Sequence, residues 1–331
     1  MAQVLIVVTG GAVRLTGSGL GCSTWPSCEP GSFTPQLREA TSYHPIVEFG
    51  NRTLTGVLVL LAIAVLLLAG LDRGRSTRYR VLAWVPLAGV LAQAVLGGIT
   101  VLVKLNPAAV ASHFLLSMVL VTASTWLLVR TREGDDTPLP TVARATRRLS
   151  AVVVALAAVV LVLGTVVTGS GPHSGDDTVG YRFALDPVLM ARVHAAAVWL
   201  FVAALALTLY GLQRVVRRAA RPDGSDERDA PPAGPTYPAA DGSLQPARGF
   251  APVHTEAAAT TDGAAQALRA GYVVLAVAAG QGLIGYVQVA TGLPIALVNL
   301  HMLGAALLVI ALAFFVGTLR RRGPAPEVAA V

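Results

Sequence analysis

Three of the six histidines in this chain, His113, His194 and His301, fall inside apolar segments of membrane-helix length. Each lies about five to seven residues past the predicted start of its helix, or roughly 8–10 Å below one membrane surface at 1.5 Å per residue. An ionisable group at that depth indicates a function. One such histidine would more simply hydrogen-bond a neighbouring helix. Three at similar depth favour axial ligands of heme iron, held between facing helices.

An internal repeat relates two of these histidines. The segment AQAVLGGITVLVKLNPAAVASHFLLS resembles GQGLIGYVQVATGLPIALVNLHMLGA, so that Gln93 matches Gln281 and His113 matches His301 at one constant offset. A weaker similarity joins VVTGGAVRLTGSG near residue 10 to VVTGSGPHSG near residue 169. Such a repeat in a membrane protein predicts two similar bundles related by pseudo-symmetry.

The repeat predicts a fourth ligand position, which asparagine occupies. If His194 and His301 bind one iron from opposite sides, His113 requires a partner on the second span. The segment after His194, AAAVWLFVAAL, aligns with RTLTGVLVLL after Asn51. An amide is a poor ligand for heme iron, so this second pocket would keep a coordination position open, which suits chemistry. The stretch from Glu48 to Arg52 is predicted to form its wall.

The elements that must position these residues are membrane helices. The chain of 331 residues is 54% hydrophobic and 13% charged, with a mean hydropathy of +0.65. Apolar runs near twenty residues recur, and lipid-exposed spans of this kind are helical. The fold class is an all-α membrane protein with eight transmembrane helices in two pseudo-symmetric four-helix bundles. The predicted spans are roughly 1–15, 53–71, 81–103, 108–129, 149–169, 188–210, 270–290 and 295–318.

The domain organisation follows from these spans. Residues 1–130 form the N-terminal bundle, whose first helix is expected to be truncated because Arg14 follows so soon after Met1. Residues 131–148 are a connector, and 149–318 form the C-terminal bundle. Within it, about 219–263 is rich in Pro, Ala, Gly and Asp and predicts a disordered insert, which also contains His254. Residues 319–331 form a tail.

Charge sets the predicted orientation. The net charge of +7 reflects membrane topology here and does not indicate nucleic acid, because 19 of the 25 Lys and Arg lie in alternate gaps between spans and in the tail. The positive-inside bias places these gaps and both termini in the cytoplasm. The protein is thus predicted to be an integral plasma membrane protein with its histidine sites toward the outer face.

The two cysteines, Cys22 and Cys28 in GLGCSTWPSCEPG, lie on the predicted outer side. That compartment is oxidising, which favours a disulfide, with a reduced structural pair as the alternative. Two thiols alone make a poor zinc site.

Together these motifs resemble the heme A synthase family, membrane enzymes that convert heme O to heme A. The resemblance covers nearly the whole chain. It is carried by TGGAVRLTGSGLGC, the W-P-x-C end of the cysteine loop, the E-F-G-N-R stretch and the histidines of spans four, six and eight. It implies two four-helix bundles, in which His194 and His301 bind heme b. The substrate heme would lie near the catalytic residues His113 and Glu48, with the disulfide close by.

The implied reaction oxidises the C8 methyl group of heme O to a formyl group through successive oxygenations. The product, heme A, serves cytochrome oxidase. The reaction implies molecular oxygen or water and an unknown electron donor as partners. Heme O synthase and the cytochrome oxidase assembly machinery are further candidates.

Several residues keep two interpretations. Many family members have His where this chain has Asn51, and His44 is either a substitute ligand or, more simply, a solvated loop residue. Glu48 either relays protons or only caps the helix and pairs with Arg52. Arg52 and Arg192 are expected to pair with heme propionates or to anchor helix ends. Arg14 lies at a helix end with them, and interfacial snorkelling explains it equally well. His173 either lines the mouth of the heme b site or, more simply, is exposed in a loop.

Two other functions compete with the enzyme. The first is a non-catalytic membrane electron carrier with two b-type hemes. The second is a transporter, which should show helices broken by Gly or Pro at mid-membrane. The prolines here fall mainly in loops and near helix ends, Pro86 among them, so the transporter ranks lowest.

Overall fold

The computed structural model describes residues 1–36, 42–173, 175, 180–220, 236–238, 244–246 and 254–324. Helices dominate these ranges. They are α1 (Ala2–Leu15), α2 (His44–Val65, continued by the π-helical turn Leu66–Gly70), α3 (Thr77–Leu102), α4 (Pro107–Thr131), α5 (Arg144–Ser170), α6 (Pro187–Ala219), α7 (His254–Ala290) and α8 (Ile295–Thr318). Four short strands complete the described structure: β1 (Leu139–Pro140), β2 (Thr236–Pro238), β3 (Leu244–Pro246) and β4 (Arg320–Arg321).

Seven helices in the described part of the chain are long and apolar enough to cross a membrane, with mean hydropathies from 1.7 to 2.8. The remaining helix, α1, is apolar but only 14 residues long. The chain is therefore an all-α membrane protein, as its composition predicts. The predicted spans coincide with these helices or lie inside them, to within one residue.

Three helices extend well beyond their predicted spans: α2 begins earlier, α6 ends later and α7 begins at His254. Within the predicted insert 219–263, residues 254–263 are helical, and β2 and β3 pair antiparallel. The prediction of disorder used the average composition of 219–263, in which every proline precedes residue 254. Residues 254–263 lack proline and are rich in alanine, the strongest helix former. Residues of this insert in 221–235, 239–243 and 247–253 lie outside the described residues.

Side-chain caps and prolines fix where several helices begin. The Asn106 side chain accepts a hydrogen bond from the Ala108 N–H at 3.0 Å, and Pro107 occupies the first helical position of α4. Asp186 caps α6 in the same way, accepting from the N–H groups of Val188 and Leu189. These caps satisfy backbone donors that have no partner inside the helix.

The turns before α4 and α8 repeat each other in backbone conformation. Lys104 and Leu105 have φ angles of 51° and 58°, and Gly292 and Leu293 have φ angles of 78° and 61°. Both pairs are related by the same offset that relates His113 to His301. A left-handed conformation costs a non-glycine residue roughly 1–2 kcal/mol, so the shared turn shows that the repeat extends to local structure.

Helices pack in sequence order, α1 to α4 and α5 to α8, and α8 also contacts α1 and α4. The largest apolar cluster lies within the second group and includes Phe201, Leu205 and Phe315, all nearly inaccessible. A second cluster joins the two groups through α1, α4 and α8; it comprises Val4, Val7, Met118, Val121, Ala306 and Val309. These clusters hold the helices in fixed register around the site described below.

Ion pairs tie the connector to the residues just before α3 and to the last turn of α4, at the end of the helices opposite the cysteines. The Asp135 carboxylate accepts from Arg75 at 3.0 Å and from Arg130 at 2.9 Å, and both arginines are buried. The tail joins the same cluster: β4 pairs with β1, and Arg320 contacts Glu133 at 3.2 Å. Burial would raise the pKa of Asp135, but hydrogen bonds from Arg75 and Ser76 lower this pKa well below its usual range.

Candidate functional site

Each of the four ligand positions predicted from the repeat rests against a glycine of the preceding helix. The pairs are Gly10 with Asn51 (α1 and α2), Gly97 with His113 (α3 and α4), Gly164 with His194 (α5 and α6), and Gly285 with His301 (α7 and α8). A β-carbon on the glycine facing His113, His194 or His301 would lie 3.2, 3.3 or 3.5 Å from Cε1 of that imidazole. Glycine therefore lets each imidazole lie directly against the neighbouring backbone.

The fourth pair places an amide where the others place an imidazole. A β-carbon on Gly10 would lie 3.7 Å from Nδ2 of Asn51. The amide is oriented by Thr9, whose hydroxyl donates a hydrogen bond to Oδ1 of Asn51 at 2.7 Å. The alignment of Asn51 with His194 thus has a structural counterpart, since both residues face a glycine on the preceding helix.

A glutamine supports each of the two repeat-related histidines. Nε2 of Gln93 donates to the backbone carbonyl of His113 at 3.0 Å, and Nε2 of Gln281 donates to the carbonyl of His301 at 2.8 Å. The Gln93 amide also donates to the hydroxyl of Ser117 at 2.6 Å. These bonds give the amide NH₂ groups partners inside the bundle and tie each glutamine to the turn of helix that carries the imidazole.

One cavity of about 1430 Å³ unites these positions, and residues from all eight helices line it. Asn51, His113, His194 and His301 are all in its wall, and the wall is mainly apolar. Small-molecule sites usually measure 300–1,000 Å³, so this cavity has room for a ligand larger than a typical metabolite.

The residues present fit an iron porphyrin better than a bare metal ion. Among the described residues, no group of three or more His, Cys, Asp and Glu side chains could hold a metal ion. A metal bound at these imidazoles would have to bring most of its own ligands, as porphyrin iron does. In the described part of the chain, Nδ1 of His113, His194 and His301 is buried without a hydrogen-bond partner.

The predicted disulfide between Cys22 and Cys28 is confirmed, and Glu48 and Arg52 hold its loop against α2. Oε2 of the buried Glu48 accepts from the Cys22 N–H at 2.6 Å, and Oε1 accepts from Nη2 of Arg52 at 2.5 Å. Nη1 of Arg52 donates to the carbonyls of Thr24 and Ser27 at 3.0 and 3.2 Å. Glu48 and Arg52 also line the cavity, so the loop, the ion pair and the cavity wall are one structure.

The interpretation of His44 as a solvated loop residue is wrong. His44 is the first residue of α2, is half-buried, and lies 2.8 Å from the hydroxyl of Ser18 through Nδ1. Its ring also packs on Tyr43, with 4.2 Å between ring centroids. The contact with Ser18 comes from a distant part of the sequence, so the local pattern of His44 followed by proline could not predict it. His44 is not part of the cavity wall among the described residues.

Arg14 and His173 join the two halves near the cysteine end, in place of the predicted snorkelling and loop exposure. Nη2 of Arg14 donates to the carbonyls of Thr168 and His173 at 3.2 and 2.7 Å. Nε2 of His173 donates to the carbonyl of Leu293 at 3.0 Å. Arg192 differs from both, because it is exposed, lines the cavity and has no hydrogen-bond or ion-pair partner among the described residues.

Fold and site together define a polytopic helical membrane protein in which imidazoles from three helices line one internal cavity. The COX15-CtaA family of cytochrome oxidase assembly proteins matches residues 1–172, slightly more than half of the chain. The chain belongs to this family.

Several individual relatives have a more specific name than the family as a whole. The chain is 36% identical over 121 residues to a heme A synthase of Bacillus pumilus (strain SAFR-032), covering 35% of this chain and 37% of the relative. It is 33% identical over 134 residues to a heme A synthase of Symbiobacterium thermophilum, covering 40% and 42%. A heme A synthase of Exiguobacterium sp. is 28% identical over 136 residues, covering 41% and 44%. The matches thus span less than half the length of these relatives.

Proposed function

We propose that this protein is a heme A synthase, which oxidises the C8 methyl group of heme O to a formyl group and supplies heme A for cytochrome oxidase. The observation that carries the proposal is the set of four glycine-backed positions around one cavity, three of them imidazoles and the fourth Asn51. The family and the names of the relatives support the same activity.

The proposed architecture is two related four-helix bundles, residues 1–130 and 149–318, joined by the connector 131–148. The shared left-handed turns, the glutamine-to-carbonyl bonds and the glycine-backed positions support this relation. We place both termini, the tail 319–331 and the insert 219–263 in the cytoplasm because Lys and Arg concentrate there. The histidine positions then lie toward the outer face of the plasma membrane.

Within this architecture, His194 and His301 would bind heme b, and His113 would bind the substrate heme. Bound iron porphyrin would supply the redox chemistry, with molecular oxygen and an external electron donor as co-reactants. The chain's own contribution is to hold the two macrocycles in an apolar cavity that excludes water. Arg192 is the better propionate partner, since its guanidinium has no partner in the described residues. The donors of Arg52 are largely engaged by Glu48 and the cysteine loop.

Glu48 has two roles in this proposal. Its carboxylate orients the cysteine loop through Cys22 and Arg52. Because Glu48 also lines the cavity, its carboxylate is also positioned to hold or move a proton. Pairing with Arg52 and transferring a proton are therefore compatible roles for Glu48, since the ion pair orients the carboxylate.

The alternative is a non-catalytic carrier of two b-type hemes. The observation that favours it is that the same glutamine-to-histidine hydrogen bond occurs in both halves, as expected if both halves bind heme in the same way. A transporter has less support, because α3 continues without a break through Pro86.

The test is to express the chain in cells that make heme O and to identify the extracted pigments by chromatography. A formyl-bearing heme supports the enzyme, and heme b alone supports the carrier. His44→Ala is the matched control, since His44 lies outside the cavity wall; it should leave the product unchanged. Full loss of product in His44→Ala, with heme b retained, would make His44 a functional residue and contradict the assignment.

A further inference from the structure

Two aromatic side chains close the second half of the cavity toward the lipid. Nε1 of Trp199 on α6 donates a hydrogen bond to the hydroxyl of Tyr286 on α7 at 3.2 Å. Both side chains line the cavity, yet 62% and 60% of their surfaces are exposed on the outside of the helices. They therefore form the wall between cavity and lipid. Tyr286 follows Gly285, the glycine behind His301, so this bridge lies at the level of the imidazole.

The first half has glycines at both equivalent positions. The alignment of Asn51 with His194 places Gly56 where the second half has Trp199. The offset between His113 and His301 places Gly98 where it has Tyr286. A β-carbon on Gly56 would meet nothing within 4 Å, and Gly56 is exposed while also lining the cavity. Neither position therefore has a side chain that could bridge α2 and α3.

A loop residue covers this gap instead. The indole of Trp25 packs directly on Gly98, occupying the space that a side chain there would fill. Trp25 lies between the two cysteines, in the loop held by Arg52. A loop side chain can move aside without separating two helices, whereas the bridge between Trp199 and Tyr286 must break before α6 and α7 can part. The two halves thus differ in how they are closed.

We propose that the gap between α2 and α3, at Gly56 and Gly98, is a lateral portal, covered by Trp25, through which a hydrocarbon-tailed porphyrin exchanges between the bilayer and the first half. The bridge between Trp199 and Tyr286 keeps the second half closed and retains its porphyrin. The portal rests on the proposed function, because a substrate must exchange at every turnover and a resident cofactor must not. A lateral path also leaves the hydrocarbon tail in lipid, so that it is never exposed to water.

The test measures porphyrin exchange from the full chain in lipid nanodiscs, with apomyoglobin as the acceptor for heme. His113→Ala and His301→Ala backgrounds isolate the second and the first half, respectively. We expect Trp199→Gly with Tyr286→Gly to speed heme loss from the second half at least tenfold. Gly56→Trp should slow exchange in the first half at least tenfold and leave the second half unchanged. Leu200→Gly, at an equally exposed neighbour of Trp199, is the control and should change neither rate.

The outcomes separate the portal from the proposed function. If both halves bind heme but the variants exchange it at wild-type rates, the portal is wrong and the proposed function stands. If neither half binds heme, both are wrong. If the double glycine variant does not fold, Tyr286→Phe and Gly56→Trp decide the question. Tyr286→Phe removes only the hydroxyl that accepts the hydrogen bond from Trp199. Unchanged rates in both of these variants overturn the portal.

Discussion

The ion pair between Glu48 and Arg52 offers the sharpest quantitative test of the site. Glu48→Gln keeps the shape of the side chain but removes its charge and one of its two acceptor oxygens. The carboxylate accepts hydrogen bonds from the Cys22 N–H at 2.6 Å and from Nη2 and Nε of Arg52 at 2.5 and 3.1 Å. The amide would have to turn its NH₂ group toward one of these donors, so at least one buried donor loses its partner.

The magnitude follows from burial. Only 7% of the Glu48 side chain and 19% of the Arg52 side chain are exposed, so solvent screens the pair weakly. Hydrogen bonds to charged groups contribute about 1.5–3 kcal/mol, against about 0.5–1.5 kcal/mol for neutral ones. Breaking a buried pair costs about 3–5 kcal/mol. We therefore expect Glu48→Gln to lower the free energy of unfolding by about 3 kcal/mol.

A double-mutant cycle separates this pair from unrelated effects. Unfolding of Glu48→Gln, Arg52→Gln and the double variant is followed by denaturant titration of the full chain. The expected coupling energy is about 1–3 kcal/mol. Arg14→Gln serves as the control partner, because Arg14 contacts backbone carbonyls of the other half, and it should show no coupling to Glu48. Additive losses for Glu48 and Arg52 would refute the reasoning.

Three further variants test other contacts of the structure. Asn51→His adds a second imidazole position to the first half, so the absorption spectrum of its bound heme should change from five-coordinate to six-coordinate; an unchanged spectrum would contradict the open position. Gln281→Leu removes the hydrogen bond to His301, worth about 1 kcal/mol, and should weaken heme b binding about fivefold in a titration; full affinity would show that the bond does not position the imidazole. Contacts with Arg75 lower the pKa of Asp135 in the folded protein. These contacts therefore stabilise the fold above about pH 4, the ordinary pKa of aspartate, and this stabilisation is lost as the pH falls toward the pKa of Asp135 in the folded protein. Asp135→Asn should therefore flatten the fall in melting temperature below pH 4, and an equally steep fall would exclude Asp135 as its source.

The features that depend on a local sequence pattern could be predicted from the sequence alone. Hydropathy predicted the membrane helices, and the offset that relates Gln93 to Gln281 predicted two positions that make the same hydrogen bond in the structure. The disulfide followed from compartment and spacing. Each of these features depends on residue types within one segment, or on a pattern that recurs in two segments of the chain.

Contacts between distant segments could not be predicted in this way. The glycines behind the imidazoles, such as Gly164 behind His194, lie on a neighbouring helix, and nothing in periodicity assigns one glycine to one histidine. The contact of His44 with Ser18 and that of Arg14 with the loop at His173 likewise depend on how helices pack. The helical start of α7 was missed because the proline-rich composition of the insert dominated the average.

The most direct measurement is the absorption spectrum of the purified full chain, wild type beside His113→Ala and His301→Ala, prepared with ample heme. If imidazoles of the two halves bind iron porphyrin separately, the wild type shows a Soret band with two components. His301→Ala then loses the heme b component, and His113→Ala loses the other. A colourless wild type, or two variants with spectra identical to it, would contradict the claim that these histidines bind heme.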